Sequence, residues 1–594
     1  MAARRRYKIH PAIGIARLGD APTFFIGPET PGLPPTGQPP GTTVPPYKDG
    51  GRIKPQAARF RVFEYVEKGG RYEVSREVSM ADAGVTITWS VHLANRKASF
   101  FEFDGMAGED RSPAPRRNAG HPPRTLDIDP GRREITGRGA RPVHFTSRGL
   151  GSERWPSPAP VPPIDTLGRL LTDAEGRLLV LGGRGVSTSR PGASPVDDYS
   201  NNDGWFDDVS DGPVTAVLTI KGVRFPVTPA WVICAPPDFA PALTGVVTLY
   251  DLLYDMAARH LTLPSDEAVY RTGALQPLAA VNAEFKRAGR PVLSRYEPDF
   301  TTEIHPLLSR ATATGFLLKS AVGKHQTLDD WAELTDPSPA HAAARAAILG
   351  WLRPPDARAT DTWPYMPKLL GDEPYPLAAG VHHQHIRLTV TPTQYALMSR
   401  WADGHFTRPT GTFPPGRPAP SITPEGLDRA ALESCAGGAF FPGIEVGWQI
   451  RHPSLYEAPF RIRHGAPTTY RGDRGAIRAG HFTRQLALPW QADFLRCKTE
   501  SSVANSPFPP SMLWGWWPAQ RPEWVFDFGV RPPAQVPWHR ATRSRIEVPW
   551  PVGFSGEPST PSYEEMLANW WKFGFVVEVR GGLFGESDRA PDVP

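Results

Sequence analysis

The stretch PWQADFLRC at residues 489–497 is followed by LWGWWPAQRP at residues 513–522, and the pair Trp570 and Trp571 lies further along the chain. The chain has only three cysteines, and one of them, Cys497, stands four residues after Asp493 between these tryptophan-rich segments. A free cysteine is usually a small buried hydrophobe, so the spacing alone favours simple packing for Cys497. The rest of the sequence must decide whether this thiol has a chemical role.

The length and composition predict a large globular protein with many irregular connections. The 594 residues exceed the size at which one hydrophobic core stops growing, so roughly two to four lobes are expected. A hydrophobic content of 40% with 28 Phe, 18 Trp and 15 Tyr supports a packed core and excludes wholesale disorder. The 56 Gly and 69 Pro suit neither helix nor strand interiors, so long loops must carry much of the fold.

The charge pattern and the cysteines argue against several functional classes. The net charge of +5 is spread along the chain, and no basic stripe with interleaved aromatic residues predicts nucleic-acid binding. The cysteines Cys234, Cys435 and Cys497 form neither a disulfide framework nor a zinc-binding spacing. Without a run of 18 apolar residues or a signal-peptide pattern, we expect a cytoplasmic protein with no membrane association and no cleaved signal peptide. Later export by another route is left open.

The hydrophobic pattern divides the chain into three parts. Residues 1–230 form a β-rich lobe with strand-like runs at 60–66, 85–91 and 214–220, joined by loops rich in Pro and Gly. Residues 231–404 are mainly helical, with predicted helices around Leu249 to Met256 and over 327–352. Residues 405–594 alternate loops with short elements. The predicted fold class is α+β, a β-rich, multi-lobed globular protein with long loops and a smaller helical part.

Two capping boxes locate helices in the second half of the chain. The sequence TPTQ at 391–394 follows a predicted strand at 386–390 and predicts a helix through Trp401 that stops at Gly404. The sequence SYEE at 562–565 predicts a helix that carries Met566 and Trp570 on one face, with Gly574 as its C′ residue and a strand after it. Trp570 is thus expected on a rigid element.

Seven blocks of sequence share an order with one known family. They are IHPAIGIARLG at 9–19, FFIGPE at 24–29, WSVHLANRKA at 89–98, NDGWFDDVSDGPV at 202–214, MP at 366–367 with GD at 371–372, CAGGAFFPGIE at 435–445, and the region at 489–522. Any one block would be weak support. Together, in this order, they resemble the L-lysine ε-oxidase and glycine oxidase (LodA-like) family of quinoproteins over nearly the whole chain.

The resemblance implies a cofactor made from the chain's own side chains. In that family a cysteine sulfur is bonded to a tryptophan ring that carries two carbonyl oxygens, which gives cysteine tryptophylquinone. The matching residues are Cys497 and Trp570, with Trp571 as the competing position. Asp493 is suited to accept protons during crosslinking and turnover. Phe573 departs from the leucine usual in the family. No dissociable cofactor is expected.

The resemblance also implies an amino-acid or primary-amine oxidase. A neutral amine would form a Schiff base on the quinone, a base would remove a proton, and hydrolysis and reoxidation by O2 would release ammonia and hydrogen peroxide. Cys435 and His405 are candidate residues of the substrate pocket, with simple packing as the alternative for Cys435. The implied partners are the small amine or amino acid, O2, a flavoprotein that matures the quinone, and further copies of the chain in a homo-oligomer.

Two other functions stay open on the sequence alone. The chain could be a non-catalytic scaffold or binding protein without the quinone, or a family enzyme that tailors a peptide or secondary metabolite. No metal site is predicted, because the histidines of HHQH at 382–385 alternate in direction and the aspartates at 203–211 lack the EF-hand spacing. No GxSxG, GxGxxG, P-loop or HExxH sequence is present. The substrate amine is not identified by the sequence.

Overall fold

A 13-stranded mixed sheet dominates the first part of the chain in the computed structural model. The structure describes residues 4–35, 47–102, 115–146, 164–316, 328, 330–355, 389–437, 445–467, 475–496, 524–526, 547–549, 562–580 and 583–587. The strands from the start of the chain to the end of the large sheet are β1 Arg5–His10, β2 Ile13–Arg17, β3 Phe25–Ile26, β4 Lys48–Asp49, β5 Arg52–Ile53, β6 Gln56–Lys68, β7 Arg71–Val78, β8 Val85–Val91, β9 Arg133–Thr136, β10 Val143–Thr146, β11 Thr166–Thr172, β12 Leu178–Leu181, β13 Ser187–Ser189, β14 Trp205–Asp207, β15 Ser210–Ile220, β16 Val223–Pro226 and β17 Ala230–Ala235.

The order of the strands places β2 and β17 in the middle of the sheet. The main path runs β10-β11-β12-β6-β2-β17-β15-β8-β9, with β1, β3 and β7 also paired with β6, and β16 paired with β15. β2 and β17 are parallel and pair Ile13 with Trp231. Both strands are buried along their whole length, as near-continuous apolar runs predict for central strands. The three strands predicted at 60–66, 85–91 and 214–220 are confirmed within β6, β8 and β15.

Helices follow the sheet and pack on it. Those described are α1 Leu249–His260, α2 Val269–Thr272, α3 Gln276–Ala288, α4 His305–Ala313, α5 Trp331–Leu334, α6 Ala342–Trp351, α7 Pro392–Ala402, α8 Pro424–Glu433, α9 Trp490–Arg496 and α10 Tyr563–Asn569. The predicted helix around Leu249 to Met256 is confirmed as α1. The single helix predicted over 327–352 is wrong, because Pro337 and Pro339 separate α5 from α6 and a proline cannot donate the backbone hydrogen bond of a helix interior.

Both predicted capping boxes are confirmed. Thr391 and Gln394 bond each other's backbone N–H at the start of α7, and Ser562 and Glu565 do the same at the start of α10. The prediction that Gly574 ends this helix as a left-handed C′ residue is wrong. α10 ends at Asn569, Gly574 instead comes after Phe573, the C-cap residue of a short 3-10 helix at Trp570–Lys572, and Gly574 is not among the glycines with positive φ. Trp570 therefore lies at the end of the helix rather than within it. The strand predicted at 386–390 lies largely outside the described residues.

Short strand pairs complete the second half of the described chain. They are β18 Tyr456–Ala458 with β19 Arg461–Ile462, β20 Trp524–Phe526 with β21 Glu547–Pro549, and β22 Phe575–Arg580 with β23 Leu583–Ser587. β22 is the strand expected after α10. Within the described ranges, no helix has the length and apolar character needed to cross a membrane.

Two hydrophobic clusters connect the three parts of the chain. The larger cluster joins the central strands to the helices α1, α3 and α7, so sheet and helices share a core. The smaller cluster contains Phe239, Trp490, Phe494, Trp570 and Phe573, and it brings together segments that are distant in sequence. The larger cluster contains residues from both sides of residue 230 and of residue 404. The division of the chain at these two residues stays a prediction. The smaller cluster is where the candidate site lies.

Candidate active site

Trp570 is buried, whereas its neighbour Trp571 is only half-buried. The Trp570 ring is 4% exposed, and its centroid lies 5.3 Å from the Trp490 ring at an interplanar angle of 74°. This is the edge-to-face geometry that aromatic pairs favour. Trp571 instead donates its indole N–H to the carbonyl of Ala568 at 3.0 Å and lies beside the Lys572 ammonium. Trp570 is a buried member of the cluster that contains α9 residues, whereas Trp571 packs against this cluster as a partly buried residue.

The helix that precedes Cys497 packs against the helix that precedes Trp570. α9 and α10 are in contact, and α9 ends at Arg496, so Cys497 is the next residue of the chain. Cys497 itself lies outside the described residues. Asp493 lies within α9 and is buried, 5% exposed. Of the three predicted cofactor and catalytic residues, the structure therefore describes two. Asp493 is buried within α9, and Trp570 is buried directly after α10, the helix that contacts α9.

The backbone of Gly185 lies so close to the Trp570 ring that no side chain fits between them. A Cβ atom at this position would lie 2.2 Å from Cζ2 and 2.6 Å from Cη2 of Trp570, closer than real Cβ contacts allow. Gly185 also has φ near +81°, a backbone conformation that glycine adopts without strain. Residues 184–186 are called the Gly185 turn below. The sequence carries no signal for this role, since nothing around Gly185 forms a recognisable motif.

Hydrogen bonds hold the Gly185 turn from two sides. The Gln491 side chain on α9 donates to the Gly185 carbonyl at 2.9 Å and accepts from the Ser187 hydroxyl at 2.5 Å. The Asp208 carboxylate accepts from the backbone N–H of Arg184 at 2.6 Å and of Val186 at 3.1 Å. Burial raises the pKa of Asp208 to about 7. The turn is thus bonded to Gln491 on α9 and to Asp208, which follows β14.

The adjacent aspartate, Asp207, holds the start of α9. Its carboxylate accepts from the Trp490 backbone N–H at 3.1 Å and from the Asn95 amide at 2.8 Å, and it forms a wholly buried ion pair with Lys97. Burial lowers the pKa of the Lys97 ammonium, and the negative charges of Asp207 and Asp493 oppose that shift. Two consecutive residues of the 202–214 block therefore position different parts of the site. Asp207 holds the start of α9, and Asp208 holds the Gly185 turn. The sequence analysis used the spacing of these aspartates only to exclude an EF-hand, and it did not predict that they position α9 and the Gly185 turn.

Comparisons with known proteins give the family. The model described as "L-Lysine epsilon oxidase N-terminal" matches residues 10–234, and the model "L-lysine epsilon oxidase C-terminal domain" matches residues 367–517. L-lysine 6-oxidase from Marinomonas mediterranea is 27% identical over 678 residues, covering 96% of this chain and 86% of that protein. The chain belongs to the L-lysine ε-oxidase family.

Solved structures of the same relative extend this match to the fold. The Schiff base intermediate of L-Lys ε-oxidase from Marinomonas mediterranea with L-Lys has a TM-score of 0.73 and 25% identity, and covers 98% of this chain and 95% of that one. A second structure of the enzyme has a TM-score of 0.76 at 24% identity, with the same coverage of both chains. The chain is therefore an oxidoreductase of the amine-oxidase type, with the β-rich fold of this quinoprotein family.

Cys435 lies beside a buried cluster of charges in this oxidase. Its thiol is 1% exposed and lies 3.8 Å from the Ala431 carbonyl, and burial raises its pKa. Arg17 donates to Glu445 at 2.9 Å and to the carbonyl of Ser434, the residue before Cys435. The next residue, Ala436, belongs to the cluster that contains Trp570. This position fits packing at the edge of the site, and the pocket role stays a prediction.

His405 lies in a different part of the oxidase. It is exposed just after α7, and its backbone N–H bonds the Arg400 carbonyl. The adjacent Phe406 packs in the larger cluster with Phe300, whereas Trp570 belongs to the smaller one. The part of the chain that the structure describes gives His405 no contact with the candidate site. Across the same residues, no group of three or more His, Cys, Asp or Glu side chains could hold a metal ion. The histidines at 382–385 lie outside the described residues.

Proposed function

We propose that this oxidase uses cysteine tryptophylquinone, formed from Cys497 and Trp570, to deaminate a primary amine or amino acid. The observation that carries the proposal is the contact between α9, whose next residue is Cys497, and α10, whose next residue is the buried Trp570. The quinone supplies an electrophilic carbonyl that no ordinary side chain offers. The products would be ammonia, hydrogen peroxide and an aldehyde or keto acid.

The surroundings of Trp570 fit a ring that carries carbonyl oxygens. The Trp490 indole is 3% exposed, and its N–H has no acceptor among the residues that the structure describes. A buried donor without an acceptor is costly, and a carbonyl oxygen on the neighbouring ring would offer one. Trp490 would therefore orient the modified ring as well as pack against it.

Asp493 is the proposed proton acceptor of the site. It lies within α9, four residues before Cys497, and its charge acts on the buried Lys97. A carboxylate in this position can take protons released when the thiol and the indole ring are oxidised and joined. The same group would hold a proton removed from the substrate carbon. Phe573, which replaces the usual leucine, packs edge-on against Phe239 in the cluster that contains Trp570.

The similar enzyme indicates which amines to test first as substrates. Because the similar enzyme from Marinomonas mediterranea is a lysine oxidase, L-lysine is the first amine to test, with glycine and larger primary amines beside it. Maturation is proposed to need a flavoprotein partner, and the enzyme is proposed to act as a homo-oligomer in the cytoplasm. Selectivity among amines would be set by the loops that shape the pocket.

Intact mass and peroxide release together test the proposed function. Protein co-expressed with its flavoprotein should gain two oxygen atoms and lose four hydrogen atoms relative to the sequence, and should release peroxide with at least one amine. Cys497→Ala should show neither change. An unmodified wild-type mass would instead support a non-catalytic scaffold, and a modified protein that is inactive on free amines would favour a peptide or another tailored substrate.

A further inference from the structure

We propose that the Gly185 turn positions the Trp570 ring for its modification, with Gly185 making room for the ring and Asp208 fixing the turn. Both are assigned as positioning residues, since neither supplies a reacting atom. The inference rests on the proposed function, because it concerns the same ring. Its support lies in atom-level contacts of described residues that belong to opposite halves of the chain.

The contact with Gly185 involves the six-membered half of the indole. The three ring atoms that a methyl group at residue 185 would meet first are Cζ2, Cη2 and Cε2 of Trp570, at 2.2, 2.6 and 2.9 Å. A crosslink and two carbonyl oxygens must all be attached to this half of the ring. The ring also packs edge-to-face with Trp490, and a side chain at position 185 would displace the ring from this position. Small displacements of a reacting group are costly in rate.

Asp208 fixes the turn because one of its carboxyl oxygens accepts hydrogen bonds from more than one backbone N–H group. Oδ2 accepts from the N–H groups of Arg184 and Val186, and the Gly185 N–H also interacts with this carboxylate. The carboxyl approaches the backbone so closely that a Cβ at Gly183 would lie 2.4 Å from Oδ2. Oδ2 can accept these bonds in either protonation state of the group, because a protonated carboxyl keeps acceptor capacity. Asp208 therefore limits the freedom of the segment that faces Trp570.

Gly185→Ala has a matched control in Gly192→Ala. Gly185 and Gly192 both have positive φ, near +81° and +76°, so an alanine meets similar backbone strain at either position. A Cβ at Gly192 meets nothing within 4 Å, whereas a Cβ at Gly185 meets Trp570. The difference between the two variants therefore isolates the contact with the ring.

Asp208→Asn has a matched control in Asp173→Asn. Asp173 also accepts two backbone N–H bonds in a turn, from Glu175 and Arg177, at 3.1 and 2.9 Å. That turn lies between β11 and β12, and a Cβ at its Gly176 would meet Met80 rather than Trp570. Asp173→Asn measures the effect of removing a carboxylate from a turn elsewhere in the fold. Asp208→Asn measures the same change in the turn that contacts Trp570, so the difference between the variants reports the effect on the candidate site.

The experiment measures the modified fraction by intact mass, together with the absorbance of the quinone and the cooperativity of unfolding. Each variant is co-expressed with the flavoprotein partner. Gly185→Ala should lower the modified fraction at least about tenfold relative to Gly192→Ala while the protein still unfolds cooperatively. Asp208→Asn should lower the modified fraction less than Gly185→Ala does, or should shift the absorbance maximum of the modified protein. Asp173→Asn should match wild type in both the modified fraction and the absorbance maximum.

The outcomes separate this inference from the proposed function. An unmodified wild type overturns the proposed function and this inference with it. A modified wild type, with Gly185→Ala and Asp208→Asn as fully modified as their controls and unchanged in absorbance, overturns the inference alone. If Gly185→Ala does not fold, Asp208→Asn decides. Loss of folding in both variants would also overturn it, since the turn would then be a folding element rather than a positioning one.

Discussion

Trp570 and Trp571 are neighbours in the sequence with different surroundings in the fold. Trp570 packs on Trp490 and Gly185 in the buried cluster, whereas Trp571 bonds the Ala568 carbonyl near the surface. The sequence motif left both indoles open as modification sites. The reason is physical, because burial at the end of a short helix depends on what packs against it and not on the local residues.

Substitution of the two tryptophans should therefore give different results. Trp570→Phe should leave an unmodified protein, because its ring cannot be converted to the same quinone, whereas Trp571→Phe should retain the mass change. Intact mass spectrometry of both variants, co-expressed with the flavoprotein, measures this. A modified Trp570→Phe protein, or an unmodified but folded Trp571→Phe protein, would assign the cofactor to Trp571.

Removing the carboxylate of Asp493 should slow maturation strongly. Asp493→Asn keeps the size of the buried side chain but cannot accept a proton, so the rate of maturation should fall by about 10²–10⁴-fold. A time course of the mass change after addition of the flavoprotein measures it. Glu433→Gln, on α8, is a control carboxylate paired with Arg429. Maturation of Asp493→Asn at the wild-type rate would remove Asp493 from the mechanism.

The buried carboxyl of Asp208 should make stability depend on pH. Its folded-state pKa of about 7 lies above the value of about 3.9 for an unfolded aspartate, because burial disfavours the charged form. The contribution to stability is therefore complete below the unfolded pKa and is lost as the pH rises through about 7. Asp208→Asn should reduce the fall in unfolding free energy between about pH 5 and about pH 8. Urea titrations at both values test this, and an identical fall in variant and wild type would refute it.

At the scale of elements, local signals predicted helix starts well and site geometry poorly. The capping boxes at Thr391 and Ser562 are formed by residues three apart, so the sequence contains everything they need. The helix predicted over 327–352 failed where Pro337 and Pro339 interrupt it. The hydrogen bond of Gln491 to the Gly185 turn joins residues 306 positions apart, and no local pattern reports such a pairing.

The start of α9 depends on a buried ion pair, and breaking it should be costly. Lys97→Met would leave Asp207 charged and wholly buried without its cation, which should destabilise the fold by about 3–5 kcal/mol. Lys97→Met combined with Asp207→Asn should recover part of that loss, because no uncompensated charge remains. Urea unfolding of the single and double variants measures the coupling. Equal stability of Lys97→Met and wild type would show that the pair does not support α9.

At the scale of the whole molecule, the site lies where the sheet region meets the last helices. Lys97, the Gly185 turn and the aspartates at 207 and 208 come from the strand-rich part, whereas α9 and α10 come from the other end of the chain. The sequence blocks predicted the family, the β-rich class and the cofactor residues as candidates. They could not predict which strand-rich residues surround Trp570, because that arrangement depends on the complete fold.

A thioether between Cys497 and Trp570 would join the residue that follows α9 to the residue that follows α10, and peptide mapping detects such a bond. After proteolysis of protein co-expressed with its flavoprotein, tandem mass spectrometry should find one crosslinked peptide pair that contains Cys497 and Trp570, two oxygens heavier and four hydrogens lighter than the separate peptides. Recovery of both residues in separate, unmodified peptides from folded protein would exclude the crosslink and the quinone cofactor.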